Sequence, residues 1–247
     1  MELYSYGNKK QCQLPKMEDA IHIEHINGFY IFIVADANGG TEGGVNSGQL
    51  AVNIMLNYLH KAITTSTSIK DIETILDIGF YTVSQAILSI NAIDNKYENV
   101  YCSMSVLIVS DTTYQACLGS VGNTEIAMIR NSKFSRLNEV HSQAYQALQS
   151  GKIEEADFYI DPGRSILTSA LGVFPEVRCD IMSIGRLSQD DIILMTTDGI
   201  YRYYTPDKVI EILGTASSID DGVNDVLKIV DEAGGEDNAS LIVIHLY

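Results

Sequence analysis

Basic residues are scarce in this 247-residue chain: 16 Lys and Arg stand against 32 Asp and Glu, a formal net charge of −16. So acidic a surface repels phosphate backbones and anionic headgroups, which argues against a general nucleic-acid binder and a membrane-surface protein. Long apolar runs are also missing, since no stretch of about 18 or more apolar residues reads as a membrane span. The opening Met1-Glu2-Leu3-Tyr4-Ser5 has neither the basic nor the apolar region of a secretory signal, so the expectation is a cytoplasmic protein. Cysteines are few and scattered (Cys12, Cys102, Cys117, Cys179), with no CxxC pair and no metal-ligand spacing. That pattern predicts reduced thiols rather than disulfides or a zinc site. Linkers, repeats and low-complexity stretches are absent, so residues 1–247 read as one domain.

What is present is a globular composition, 46% hydrophobic and 19% charged. Two periods alternate along it. In residues 45–63, Ala51, Ile54, Met55, Tyr58, Leu59 and Ala62 fall on one helical face. Residues 69–93 repeat the pattern with Ile72, Leu76, Val83, Ile87 and Ile90. Short β-rich runs follow at Ser103–Ser110, Thr113–Ser120, Thr124–Arg130 and Lys133–Leu137, separated by hairpin-sized turns. Phe29–Ala35, Ile192–Thr196 and Leu241–Leu246 are apolar throughout and read as buried strands. Pro206–Leu213, Ile219–Glu232 and Val140–Ala156 read as helices. Helices in blocks and closely spaced antiparallel strands predict an α+β fold, with helix pairs covering the outer faces of two packed sheets.

Three acids stand where strongly apolar segments meet turns: Asp36 after Phe32-Ile33-Val34-Ala35, Asp198 after Ile192–Thr197, and Asp237 before the last strand. A carboxylate at a strand end is held rigidly at the rim of a sheet. Rims that meet would form the oxygen-rich pocket that Mg²⁺ or Mn²⁺ requires. Gly39-Gly40, Gly199 and Gly234-Gly235 beside them permit tight turns. Asp, Asn and Gly are also what ordinary turns carry, so these residues alone leave both readings open.

The order of motifs resembles a known family, the metal-dependent protein serine/threonine phosphatases of the 2C type. Met17-Glu18-Asp19-Ala20 is similar to its N-terminal acidic motif, and Val34–Gly40 (Val-Ala-Asp-Ala-Asn-Gly-Gly) to its Asp-Gly-x-Gly-Gly motif. Gly119–Thr124 resembles its Val-Gly-Asp-Ser hairpin and Leu167–Gly172 its Leu-Thr-x-Ala-Leu-Gly segment. Met195–Ile200 resembles its Ser-Asp-Gly-Leu motif and Asp237–Ser240 its Asp-Asn-x-Thr/Ser motif. Six weak motifs in the right order through nearly the whole chain make a strong signal together.

The resemblance implies a β-sandwich of two mostly antiparallel sheets flanked by helix pairs, in four α-β-β-α layers. It implies hydrolysis of phosphoserine and phosphothreonine monoesters by direct attack of a water between two Mn²⁺ or Mg²⁺ ions. Asp36 would bridge the ions, with the Ala37 carbonyl, Asp198 and Asp237 on one of them, Glu18 supporting the other through water and Asp19 orienting from behind. The implied partners are phosphoproteins, a kinase substrate or the kinase itself, with no nucleic acid or membrane, acted on by a monomer.

Some positions depart from the family pattern. Leu14 stands where the phosphate-binding Arg is expected, and Lys16, two residues on, is the candidate to substitute as a point charge. Ala37 replaces a Gly, which would be strained if the backbone there needed positive φ. Asn123 replaces a hairpin Asp that would help hold a third ion, and a neutral amide is a weaker ligand. Asn38 replaces a His found in some members, and His141 reads as structural. Leu14, Ala37 and Asn123 support a second reading, a catalytically weak or inactive binding module. Gly151–Arg164 and Val173–Arg186 are expected to be mobile segments beside the site.

Overall fold

The computed structural model describes residues 1–38, 47–93, 100–203 and 205–247. Gly39-Gly40 of the Asp36 motif, and residues 45 and 46 of the first expected helix, lie outside them. Among the described residues, ten strands form two five-stranded sheets in which every pairing is antiparallel. One sheet has the order β1 (Leu3–Lys10), β10 (Ala239–Leu246), β9 (Ile192–Thr196), β6 (Glu125–Arg130), β7 (Lys133–Arg136). The other has the order β2 (Ala20–Ile26), β3 (Phe29–Asn38), β4 (Tyr101–Ser110), β5 (Gln115–Val121), β8 (Asp180–Arg186).

Helix pairs close the outer faces, and three apolar cores separate the four layers. α1 (Ser47–Ala62) and α2 (Ile72–Ile93) pack Ala51, Met55, Leu59, Leu76, Phe80 and Val83 onto Ile31, Ile33 and Ala35 of β3. On the far side, α6 (Pro206–Thr215) and α7 (Ile219–Glu232) bring Val209, Val223, Val226 and Val230 onto Leu194, Leu241 and Val243. Between the sheets lie Phe32, Val34, Leu107, Ile193, Met195 and Ile242. Each such aliphatic or aromatic side chain contributes about 1.5–3 kcal/mol when withdrawn from water. The period of two explains why β3 is apolar without alternation. Its odd residues face helices, its even residues face the other sheet, and both faces are dry. By length and composition Ile69–Ala92 is apolar enough to cross a bilayer, yet its inward stripe is buried on the sheet.

Four sequence expectations need correction. β3 runs on to Asn38, so Asp36 lies within the strand rather than after it. The helix expected over Val140–Ala156 shrinks to α3 (Gln143–Gln149), capped by Ser142, because Val140–Ser142 is drawn into pairing with the 166–168 segment. The Gly151–Arg164 segment is anchored rather than loose. It contains α4 (Glu155–Phe158) and a 3-10 turn at Pro162–Ser165, and Phe158 is fully buried with Tyr159 almost so. The buried Arg136 ties it down by bonding Tyr159 Oη, Glu155 and Glu125 at 2.8, 2.8 and 3.0 Å, and Arg164 stacks over the Phe158, Tyr159 and Tyr201 rings. The second half of Val173–Arg186 is the edge strand β8, held by β5.

Candidate active site

The acids predicted from the motifs meet at one end of the sandwich, around a cavity of about 410 Å³. Glu18, Asp36, Asp198 and Asp237 all line it, with Leu14, Ala37, Asn38, Asn123, Ser165 and Arg202. Strand geometry brings them together. Asp36 shares the parity of Phe32 and Val34, so it points into the space between the sheets, at the point where the apolar filling stops. β2 pairs only as far as Ala20 opposite Ala35, whereas β4 continues to Tyr101 opposite Asn38. Asp36, Ala37 and Asn38 therefore overhang β2, which leaves that backbone edge open to the cleft. Ala37 is in extended strand, not at positive φ, so the missing glycine brings no backbone strain and that support for an inactive module falls away.

Asp198 opens the short helix α5 (Asp198–Tyr201) directly after β9 and is 6% exposed. Its Oδ2 accepts from Asn123 Nδ2 at 2.9 Å and from Ser165 Oγ at 3.1 Å, and its carboxyl also shares a hydrogen bond with Asp36. Gly199 is required here by close approach: a Cβ would sit 2.0 Å from the Asn238 carbonyl oxygen. Asn123 presents its amide N–H to Asp198 while its Oδ1 accepts from Ser103 Oγ at 2.8 Å. It therefore orients Asp198 rather than offering oxygen to a cation. The preceding Gly122 has φ +92°, and a Cβ there would collide with Ser103, so the hairpin fixes both residues.

Asp19 is buried behind this cluster. Its Oδ2 accepts from Ser240 Oγ at 2.7 Å and Thr197 Oγ1 at 2.9 Å. Burial, then the charges of Asp198 and Asp237 against the pull of those hydroxyls, push its pKa up to about 7. Burial also raises Asp36 well above the carboxylate range, with the charges of Asp19, Asp198 and Asp237 adding to it. Asp237 is pushed up to about 6 by burial and Asp198, against the opposing Arg202 guanidinium. Asp19, Asp36 and Asp237, three carboxyl groups crowded until they resist ionising, form a site made for added positive charge.

Among the described residues no three His, Cys, Asp or Glu side chains close around one point. The donors do not form a protein-only cage. Ions of the Mg²⁺ class keep several waters and take only one or two carboxylates each, so spaced acids with an open backbone edge fit them.

Lys16 departs from expectation, whereas His141 matches it. Lys16 is exposed and does not line the cavity, whereas Leu14 does. His141 accepts from the Gly122 amide at 3.2 Å and is held below its usual pKa chiefly by burial, a structural histidine away from the cleft lining. Asn238 links the motifs: its Oδ1 accepts from the Glu18 amide at 2.6 Å, and its Nδ2 donates to the carbonyls of Gln11 and Lys16. Arg202 and Ser165 were missed. The available signal for Arg202 was its i+4 spacing from Asp198, which a helix start converts into proximity.

No protein-family model matches the chain. A curated relative, a putative 2C-type protein phosphatase of Streptococcus pyogenes serotype M6, is 22% identical over 218 residues, covering 88% of this chain and 86% of that one. The solved serine/threonine phosphatase of S. agalactiae superposes over 100% of both chains with a TM-score of 0.88 at 18% identity. The catalytic domain of the phosphatase PstP, solved with two manganese ions, superposes over 98% of this chain and 97% of its own with a TM-score of 0.79 at 15% identity. The chain thus shares the four-layer fold of solved serine/threonine phosphatases and is similar over nearly its full length to a curated protein named as a putative 2C-type phosphatase.

Proposed function

We propose that this chain is a hydrolase that removes phosphate from phosphoserine and phosphothreonine in proteins, with Mn²⁺ or Mg²⁺ at the acidic cleft. The observation that carries the reading is the convergence of Glu18, Asp36, Asp198 and Asp237 on one cavity, with the buried Asp19 behind them. A curated relative named as a putative 2C-type phosphatase, and a like-folded phosphatase solved with two manganese ions, support it. When bound, the ions would supply an activated water at neutral pH and neutralise phosphoryl charge.

The chain's own residues do the positioning. Asp36 and Asp198, in contact across the two sheets, would hold the ions, with the Ala37 carbonyl and Asp237 completing the donor set. Asn123 and Ser165 fix the Asp198 carboxylate, and Thr197 and Ser240 fix Asp19. Asn238 ties Glu18 to the Asp237 loop, so the N-terminal acid keeps its place over the cleft.

The direct test is hydrolysis of a phosphothreonine peptide titrated with Mn²⁺ and Mg²⁺. Turnover should rise with metal, stop in EDTA and return on re-addition. Activity that persists in chelator, or no turnover of any phosphoester at millimolar Mn²⁺, refutes the reading.

A further inference from the structure

Phosphate hydrolysis in this cleft sets an electrostatic problem. Glu18, Asp36, Asp198, Glu236 and Asp237 face a substrate that is itself an anion, and the position expected to carry a phosphate-binding Arg is Leu14. Leu14 does line the cleft, so the wall is there without its charge. Among the described residues that line the cavity, the only cation is Arg202.

Its placement follows from the local fold. Arg202 caps the C-terminal end of α5, its amide bonding the Asp198 carbonyl at 3.1 Å, so one helical turn sets the guanidinium beside the acid that opens the helix. Nη2 donates to Asp237 Oδ2 at 2.9 Å and to Ser165 Oγ at 3.2 Å, and that same hydroxyl donates to Asp198 Oδ2. The guanidinium is thus one bond from Asp237 and one hydroxyl from Asp198. Both hydrogen bonds to described side chains run through a single nitrogen of a fork that carries five N–H donors. That leaves a planar edge suited to two phosphoryl oxygens.

We propose that Arg202 is the phosphate-binding residue of this site, so that the clamp expected at position 14 is supplied from the C-terminal end of α5 instead. The inference rests on the phosphatase reading, and it is separable from that reading by experiment. A purely structural Arg202 would serve only to hold Asp237 in place. The two roles act on different ligands.

The test titrates inorganic phosphate into the Mn²⁺-saturated full chain by calorimetry, and separately titrates Mn²⁺ into the metal-free chain, for wild type, Arg202→Gln and Arg202→Lys. With the clamp, Arg202→Gln weakens phosphate binding by about tenfold or more and raises the KM for a phosphothreonine peptide more than it lowers kcat, while Mn²⁺ binding stays the same or tightens as a repelling charge is removed. Arg202→Lys keeps part of the phosphate affinity, and adding Leu14→Arg to Arg202→Gln restores it. Phosphate affinity unchanged within about twofold, or weakened Mn²⁺ binding with normal phosphate affinity at saturating metal, overturns the proposal. Wild-type turnover reports on the phosphatase reading alone, and phosphate titration needs no turnover, so either can fail without the other.

Discussion

Buried carboxylates occur in two regions of this molecule, and their partners differ. Along the β6–β7–β9 side, Glu125 is 2% exposed and pairs with Arg136 at 3.0 Å, while Asp191 is 1% exposed and is gripped by Arg130 Nε and Nη2 at 2.7 and 2.6 Å. In the cleft, Asp19 and Asp198 are also buried, yet hydroxyls and an amide hold their carboxyl groups in place of a paired arginine, and other acids add their charge to that of Asp19. A buried charge needs a partner of opposite sign, and breaking such a pair is costly. Where the fold supplies an arginine the acid serves stability. Where it gathers acids against one another, the missing charge must come from outside, which is what supports the cleft as the proposed site.

The sharpest way to break this contrast is Asp36→Asn. It should reduce metal-dependent hydrolysis by at least about 10⁴-fold, about 5.5 kcal/mol of transition-state stabilisation, while leaving the thermal midpoint of the metal-free protein equal or higher because a repelling carboxyl is gone. A marked fall in stability would place Asp36 with the structural acids. Arg136→Met is the converse. It strands Glu125 and frees the α4 segment, so chemical denaturation should show a loss of about 3–5 kcal/mol, with the surviving folded protein retaining its KM.

The cleft acids should also carry a pH signature. Asp19 has a folded pKa near 7 against an unfolded value of about 3.9. A group raised in the folded state contributes stability that is complete below the unfolded pKa and is lost as pH rises through the folded pKa. Relative to Asp19→Asn, which cannot titrate, the metal-free wild type should therefore lose stability between about pH 4 and 7, by at most about 4 kcal/mol. Unfolding curves of the two proteins that keep a constant separation over that window would remove Asp19 from the crowded set. The smallest effect belongs to the exposed pair Arg178–Glu139, whose side chains are 75% and 41% exposed. Arg178→Ala should change stability by less than about 1 kcal/mol, and a larger change would mean that exposure does not separate the strong pairs from the weak.

How much of this was legible in the chain differs element by element. The stripe of α1 and α2, and the apolar runs of β3, β9 and β10, are visible because each buries one stripe or both faces. β1 was missed because Leu3–Lys10 is a half-buried edge strand carrying Lys9 and Lys10, with no apolar period to read. β8 escaped for the same reason, its residues being largely exposed. The Val140–Ala156 helix was overextended because the pairing of residues 140–142 with 166–168 is made across sequence distance, where local pattern carries no signal.

Asp36, Asp198 and Asp237 were legible by themselves as acids beside apolar strands, because apolar runs show where buried strands meet their turns, whereas Glu18 and Asp19 were legible only through the resemblance of their motif. Which cation faces the cleft was decided only by tertiary structure. Lys16 is nearer Glu18 along the chain, but its carbonyl is tied to Asn238 and its side chain does not line the cavity. Arg202, far from Glu18 in sequence, is brought in because β9 runs beside β10 and one turn of helix follows it. The sign and number of charges are properties of composition. Their distances, and therefore their energies, are set by the packing of two sheets.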